Sequence, residues 1–279
     1  PEEPPYPQLI EAEVRHQVAR LARHPSVVLW CGGNENVVAW RNWGWREEMD
    51  PQLTWGRRYF EQWLPRWIRE TDPTRPVVPD SPWSGSVEHD PNDPDHGDRH
   101  TWDVRVEGYR TIIPRFCSEL GHQSPPMRET LERAIGPEHL VLGDPVLERR
   151  QRALGGFERQ YAEPFREFLG DEAAAEALGD FDHWHAAALE LQARAMEIAA
   201  DWHARQRPRC MGLLIWQLND CWAGHSWSLI DVDGREKPAY HAVARIFRAM
   251  ELEEREQREA RATADADAAE PAADDLSPA

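Results

Sequence analysis

The feature that most constrains the fold is Val27-Val28-Leu29-Trp30-Cys31. This unbroken apolar run is followed at once by Gly32-Gly33 and the polar Asn34-Glu35-Asn36. A run this short and continuous reads as a buried strand covered on both faces, the habit of parallel sheets. Parallel strands need long crossovers, and helical patterns lie between the strand candidates. Ile10, Val14, Val18 and Leu21 repeat at helical spacing over residues 8–23, and His24-Pro25 ends that helix. Leu53, Phe60, Trp63, Leu64 and Trp67 mark one face of a second helix over residues 52–70. Residues 75–80 (RPVVPD), 114–118 (PRFCS) and 211–218 (MGLLIWQL) are further strand candidates, the first hemmed by prolines. Helices are expected over 145–168, 181–206 and 235–250. Residues 81–100, rich in Pro, Gly, Asp, Asn and His, read as loop.

Strand, polar loop, helix, strand is an α/β alternation with parallel strands and right-handed crossovers. Polar residues gather directly after the strands, where a (β/α)8 TIM barrel carries its catalytic groups. Only four or five strands are countable, so a partial barrel is expected over residues 1–250. Residues 251–279 hold ten acids against three Arg and almost no large apolar residue. After one or two helical turns they are expected to form a disordered acidic tail.

The net charge of −18 argues against nucleic acid or an anionic membrane as partner, because phosphate binding needs a clustered basic face. No apolar stretch is long enough to span a bilayer. Lys237 is the single lysine; every other basic side chain apart from His is Arg. Four Cys without a CxxC pair make neither a disulfide scaffold nor a zinc knuckle, and a cytoplasmic location is expected. His89, His96 and His100 share an Asp-rich loop, but their spacing fits no zinc pattern, so no metal and no cofactor is expected. Fourteen Trp either fill a core or offer faces for stacking on sugars. Trp30 and Trp40 read as core, and Cys31 and Cys117 as small buried fillers.

Two carboxylates stand out by position. Glu35 follows the first strand candidate and Glu119 follows PRFCS, so both would face one mouth. Retaining glycoside hydrolysis needs such a pair, one as nucleophile and one as acid and then base, roughly 5–5.5 Å apart. Each Glu could equally cap a helix or pair with an Arg; spacing alone does not choose.

The segments 24–36 (HPSVVLWCGGNEN), 114–126 (PRFCSELGHQSPP) and 212–243 (GLLIWQLNDCWAGHSWSLIDVDGREKPAYHAV) resemble, in order, the acid/base strand, the nucleophile strand and the closing segment of family 2 glycoside hydrolases, β-mannosidases above all. Residues 97–104 (GDRHTWDV) and 74–85 (TRPVVPDSPWSG) fit intervening strand ends. The similarity covers most of residues 9–248. It implies Glu35 as acid/base, Glu119 as nucleophile and Asn34 as partner of the sugar 2-hydroxyl. Trp43 would be an aromatic wall, Trp216 the floor under the ring, and His100 with Trp102 a pocket-lining pair. The implied substrate is a β-mannoside, hydrolysed at its terminal non-reducing residue without a cofactor. Carboxylate repulsion would raise one pKa, keeping Glu35 protonated and Glu119 charged.

Some features depart from the pattern. Thr101 stands where related barrels have an aromatic, and Arg105 where Trp is expected. The chain begins at the helix before the fourth strand, so strands four to eight are expected, with association through unpaired edges. Two rivals remain: another family 2 specificity (galactosidase, glucuronidase or exo-glucosaminidase), and an inert fragment that requires upstream strands.

Overall fold

A computed structural model describes residues 2–50 and 55–269 of the chain, with side chains to residue 263. It divides into two compact units, residues 1–121 with 205–216, and residues 122–204 with 217–279.

In the first unit, helix α1 (Tyr6–Leu21) turns Val18, Ile10 and Val14 onto an apolar cluster. The cluster contains Leu64, Trp67 and Ile68 of helix α3 (Leu64–Thr71), together with Tyr59. Trp30 packs against it half-buried, and its indole N–H donates to Asp72 at 2.8 Å. Trp40 is half-buried and stacks on Trp55 at 5.5 Å. Helix α2 (Asn36–Asn42) starts directly after the first strand.

The strands are short. β1 (Trp30–Cys31) pairs in parallel with β2 (Val77–Val78), Trp30 opposite Val77 and Cys31 opposite Val78. Pro76 and Pro79 lack the N–H that would extend β2 over the whole expected run. β3 (Arg99–His100) pairs in parallel with β4 (Cys117–Glu119), with a register shift between Arg99 and His100. β3 lies where composition read as loop and where the resemblance put a strand end; its two residues are too few for an apolar pattern to show. The run 211–218 joins as a parallel bridge between Leu213 and Cys117. Cys117 is buried as expected. Cys31 is exposed, a correction to its reading as a filler: its thiol reaches the Gly33 carbonyl at 3.0 Å instead of packing into a core. Exposed apolar side chains lie on the outer segments, Val28 and Leu29 before β1, Met211 and Leu214 beside Leu213.

The second unit is helical. Helix α4 (Arg128–Ile135), which no sequence signal had marked, is followed by short pieces, then α5 (Phe181–Arg205) and α6 (Pro238–Ala269). Along α5 Trp184, Ala188, Leu191, Ala195 and Ile198 are buried, as their spacing predicts. Gln192 on the same helix is fully buried. Its amide donates to the carbonyls of His122 and Ser228, and its oxygen accepts from the Ser124 hydroxyl at 2.7 Å. The helix expected over 145–168 is broken into Pro145–Glu148, a wide turn at Glu158–Ala162, and Glu163–Leu169. Gly155 and Gly156 interrupt it at φ +79° and +56°, a left-handed conformation that glycine adopts without strain.

α6 also departs from expectation. It continues through Ala269, well past the one or two turns expected after residue 250. Ala, Glu and Arg are strong helix formers, and Arg255–Glu259 and Glu254–Arg258 pair one turn apart. The disordered-tail expectation is therefore corrected up to residue 269. Its remainder, residues 270–279, lies outside the described residues. No helix among the described residues is long and apolar enough to cross a membrane.

Candidate active site

Glu35, His100 and Glu119 meet at the carboxyl ends of β1, β3 and β4. One ligating atom from each lies within 4.8 Å of the other two. Local backbone geometry puts them there. Glu35 leaves β1 in the left-handed region, φ 56°, a conformation costing a non-glycine residue about 1–3 kcal/mol. Its N–H donates to the Ser81 carbonyl at 2.7 Å, and its own carbonyl accepts from Ala39 to start α2. The buried Asp80 accepts from Asn36 Nδ2 and the Val37 N–H, which pins α2 in place. Glu119 ends β4, and its carbonyl accepts from the Thr101 N–H at 2.7 Å.

His100 is 2 % exposed and links the two carboxylates. Its Nδ1 lies 2.8 Å from Glu35 Oε1 and 3.8 Å from Glu119 Oε2. Its Nε2 lies 3.0 Å from Ser81 Oγ. Ser81 Oγ donates to Asp98 Oδ2 at 2.5 Å, and Ser118 Oγ donates to the same oxygen at 2.6 Å. A hydroxyl has one proton, and a carboxylate is the stronger acceptor. With that proton spent on Asp98, Ser81 Oγ can only accept from His100, so Nε2 carries a hydrogen. A neutral imidazole then offers Nδ1 as an acceptor to a protonated Glu35; a charged one donates Nδ1–H to a carboxylate. Either way, one mobile proton sits on the line between Nδ1 and Oε1.

Glu119 accepts from Trp102 Nε1 at 3.0 Å. Burial raises its pKa above the usual carboxylate range. His100 lowers it in part, the neighbouring Glu35 raises it, and Trp102 lowers it. The upward shift thus falls on the carboxylate expected to stay charged, because Glu119 sits deeper among protein atoms than its place at a strand end suggests. Behind it Gly121 has no room for a side chain: a Cβ would lie 2.1 Å from the Trp216 carbonyl and 3.2 Å from the Trp102 ring.

The structure thus gathers Glu35, Glu119, His100 and Trp102 of the seven residues singled out. Asn34 and Trp43 are exposed, and Trp216 is 43 % exposed. Among the described residues these three make no hydrogen bond to the group; their faces are open to whatever enters. Sequence reasoning missed Ser81, Asp98 and Ser118. Ser81 follows Asp80 just beyond β2, Asp98 lies two residues before His100, and Ser118 lies within β4 directly before Glu119; nearness to the singled-out residues was the available signal. Of the His-rich loop, His96 pairs with Asp93 at 2.8 Å, while His100 belongs to the carboxylate group. Glu35, His100 and Glu119 are also close enough to hold a cation, although the hydrogen bonds described satisfy the His100 ring without one.

Two carboxylates at the carboxyl ends of parallel strands are the arrangement that a β/α barrel-type hydrolase would use. Residues 2–97 match the model described as the family 2 glycosyl hydrolase TIM barrel domain. Over those residues the chain is similar to this family's barrel domain, and its fold is of the TIM-barrel type. It is 32% identical over 266 residues to β-mannosidase B of Neosartorya fischeri, covering 88% of this chain and 30% of the relative. A solved structure, the β-D-mannosidase of Dictyoglomus thermophilum, aligns with TM-score 0.73 and 30% identity, covering 89% of this chain and 30% of that one. The exo-chitosanase of Amycolatopsis orientalis, at 19% identity and TM-score 0.56 over 84% of this chain and 26% of its own, shares the fold. The chain spans about 30% of the length of the β-mannosidases it matches.

Proposed function

We propose that the chain supplies the catalytic carboxylates of a retaining exo-β-mannosidase. Glu119 attacks the anomeric carbon of a terminal β-mannose while Glu35 protonates the leaving oxygen. Water, deprotonated by Glu35, then releases mannose from the glycosyl-enzyme. The observation that carries this reading is the separation of the pair. Oxygens within 4.8 Å suit direct attack by a nucleophile, whereas an inverting pair stands roughly 6.5–9.5 Å apart to admit a water. Asn34 is assigned to the 2-hydroxyl, Trp43 and Trp216 to the ring faces, and His100 with Trp102 to holding the carboxylates. The β-mannosidase relatives favour mannose over galactose, glucuronic acid or glucosamine.

The matched residues correspond to strands four to eight of the barrel and to a catalytic portion ending near residue 250. The exposed Val28, Leu29, Met211 and Leu214 support outer edges that meet further strands or associate. Residues 251–263 are exposed apart from the half-buried Glu254, which supports a separate acidic extension. Four free cysteines fit a reducing compartment such as the cytoplasm.

The test is hydrolysis of p-nitrophenyl β-D-mannopyranoside, with the configuration of the first product read by NMR. β-Mannose released by the parent and no turnover by Glu119→Ala is the expected result. An α-configured first product refutes the retaining assignment. A specific observation favours a second reading: the exposed Val28, Leu29, Met211 and Leu214 favour a chain that is active only once further barrel strands pair with it. In that case activity appears only on co-expression with them and again disappears with Glu119→Ala.

A further inference from the structure

Asp98 lies at the start of a hydrogen-bonded line that reaches the carboxylate pair, within the first unit throughout. Its Oδ1 accepts from the Trp83 backbone N–H at 2.8 Å. Its Oδ2 accepts from two hydroxyls, Ser81 at 2.5 Å and Ser118 at 2.6 Å. Ser81 Oγ lies 3.0 Å from His100 Nε2, and His100 Nδ1 lies 2.8 Å from Glu35 Oε1. Glu119 Oε2 stands 3.8 Å from the same Nδ1. Asp80, next to Ser81, is turned onto Asn36 and the Val37 N–H. Arg99, next to His100, is turned onto Asp103 and the Asn92 carbonyl.

A carboxylate accepts hydrogen bonds and has no hydrogen to give, so Asp98 fixes the direction of the whole line. Ser81 and Ser118 spend their hydrogens on it, Ser81 Oγ accepts from His100 Nε2–H, and Nδ1 shares one proton with Glu35. Taking that proton away leaves two poor arrangements. A hydrogen kept on Nε2 sets the Nδ1 lone pair against the Glu35 carboxylate. A hydrogen moved to Nδ1 sets the Nε2 lone pair against the Ser81 oxygen. Each forfeits a hydrogen bond on a ring that is 2 % exposed, so the line retains the proton that an acid at Glu35 needs.

We propose that Asp98 is a positioning residue: acting through Ser81, it keeps a hydrogen on His100 Nε2 and thereby holds a proton between His100 Nδ1 and Glu35. The inference rests on the reading of Glu35 as the acid for its effect on rate, but the hydrogen on Nε2 is read without turnover. Asp98→Asn reverses the line with little change of shape. The Trp83 N–H needs an acceptor, so the amide oxygen stays at the Oδ1 position and the NH2 faces the two serines. Ser81 then accepts from the amide and turns its hydrogen to His100 Nε2, while Ser118 turns its own to the Arg99 carbonyl at 3.3 Å. His100 is left with a bare Nε2 and donates its Nδ1–H to a Glu35 carboxylate. Each group in the line keeps a partner, so the variant is expected to fold.

The experiment is NMR of the full chain with ¹⁵N-labelled histidine near neutral pH, the His100 ring assigned by its loss in His100→Gln. The parent should carry a hydrogen on Nε2, and Asp98→Asn should carry one on Nδ1 alone. Adding Ser81→Ala to each should abolish the difference, because the hydroxyl transmits it. On an alkyl mannoside, whose leaving oxygen needs a proton, Asp98→Asn should lower kcat at least about tenfold in whichever assembly turns over, out of the roughly 10²–10⁴ that acid–base catalysis contributes. A bare Nε2 in the parent overturns the proposal without any variant. So does an Nε2 hydrogen retained in Asp98→Asn, or a difference between the two that survives Ser81→Ala. A reversal as expected, together with full hydrolysis by Glu119→Ala, would instead refute the hydrolytic reading and leave the proton assignment standing.

Discussion

Replacing Ser81 with Ala tests the proton inventory of the site without touching either carboxylate. The change removes the acceptor of His100 Nε2–H, at 3.0 Å, and one of two hydroxyls donating to Asp98 Oδ2. Losing a partner of a buried group costs about 1–3 kcal/mol. Here the loss falls on a ring that is 2 % exposed. The imidazole can escape that cost by moving its hydrogen to Nδ1, where it donates to a Glu35 carboxylate at 2.8 Å. Under the proposed mechanism, that exchange withdraws the proton needed by the leaving oxygen. If the full cost appears in the transition state, kcat falls roughly tenfold to a hundredfold with KM little changed, at 1.36 kcal/mol per decade. Because only the protonation step is weakened, the loss should be large for alkyl mannosides and small for p-nitrophenyl mannoside, whose leaving group needs little help. Ser81→Thr retains a hydroxyl and should restore most of the rate. The assay is steady-state hydrolysis of both substrates across pH, using whichever assembly of the chain is active. An equal loss on both substrates would refute the relay and leave Ser81 a structural role only.

Gly121→Ala should reduce both activity and melting temperature, because its Cβ would stand 2.1 Å from a backbone carbonyl. Thermal denaturation beside the rate assay checks this, and a silent substitution would show that the Trp216 segment moves freely. Lys237 is fully buried, with Nζ 3.2 Å from Ser124 Oγ, and burial lowers its pKa to about 8 despite Asp220 and Asp231. The folded chain then binds this proton less tightly than the unfolded chain, so this group's contribution to stability rises between pH 8 and about 10.5, by roughly 3 kcal/mol in all. Lys237→Met should flatten that slope in denaturant titrations; a parent and variant with parallel pH dependence would contradict it. Glu35→Ala should retain more activity on aryl than on alkyl mannosides, whereas Glu119→Ala should lose both.

Much of this protein was legible in its order of residues. The alternation of short apolar runs with helical patterns sufficed for parallel strands and crossovers, since a two-faced burial pattern admits few architectures. Glu35 and Glu119 stand directly after such runs and meet at the strands' carboxyl ends, and the helix expected over 181–206 formed with Trp184, Ala188, Leu191, Ala195 and Ile198 buried. Other elements depended on chemistry that periodicity does not register. Gly155 and Gly156 broke a helix that apolar spacing alone continued, and Ala-Glu-Arg pairing carried α6 on to Ala269, past the expected stop. β3 was marked only by the resemblance over residues 97–104, because two residues cannot display a period of two. The tertiary structure alone decided which groups share a proton. His100 lies 65 residues from Glu35, Ser81 lies 19 from His100, and Asp98 reads as a solvated loop acid until folding sets it against two serine hydroxyls. It also decided that the single lysine is buried and that His225 faces a cavity. Sequence determines which side chains are available and how the local backbone turns. Distances between residues far apart in the chain, and the burial that sets their pKa values, exist only once the strands are laid side by side.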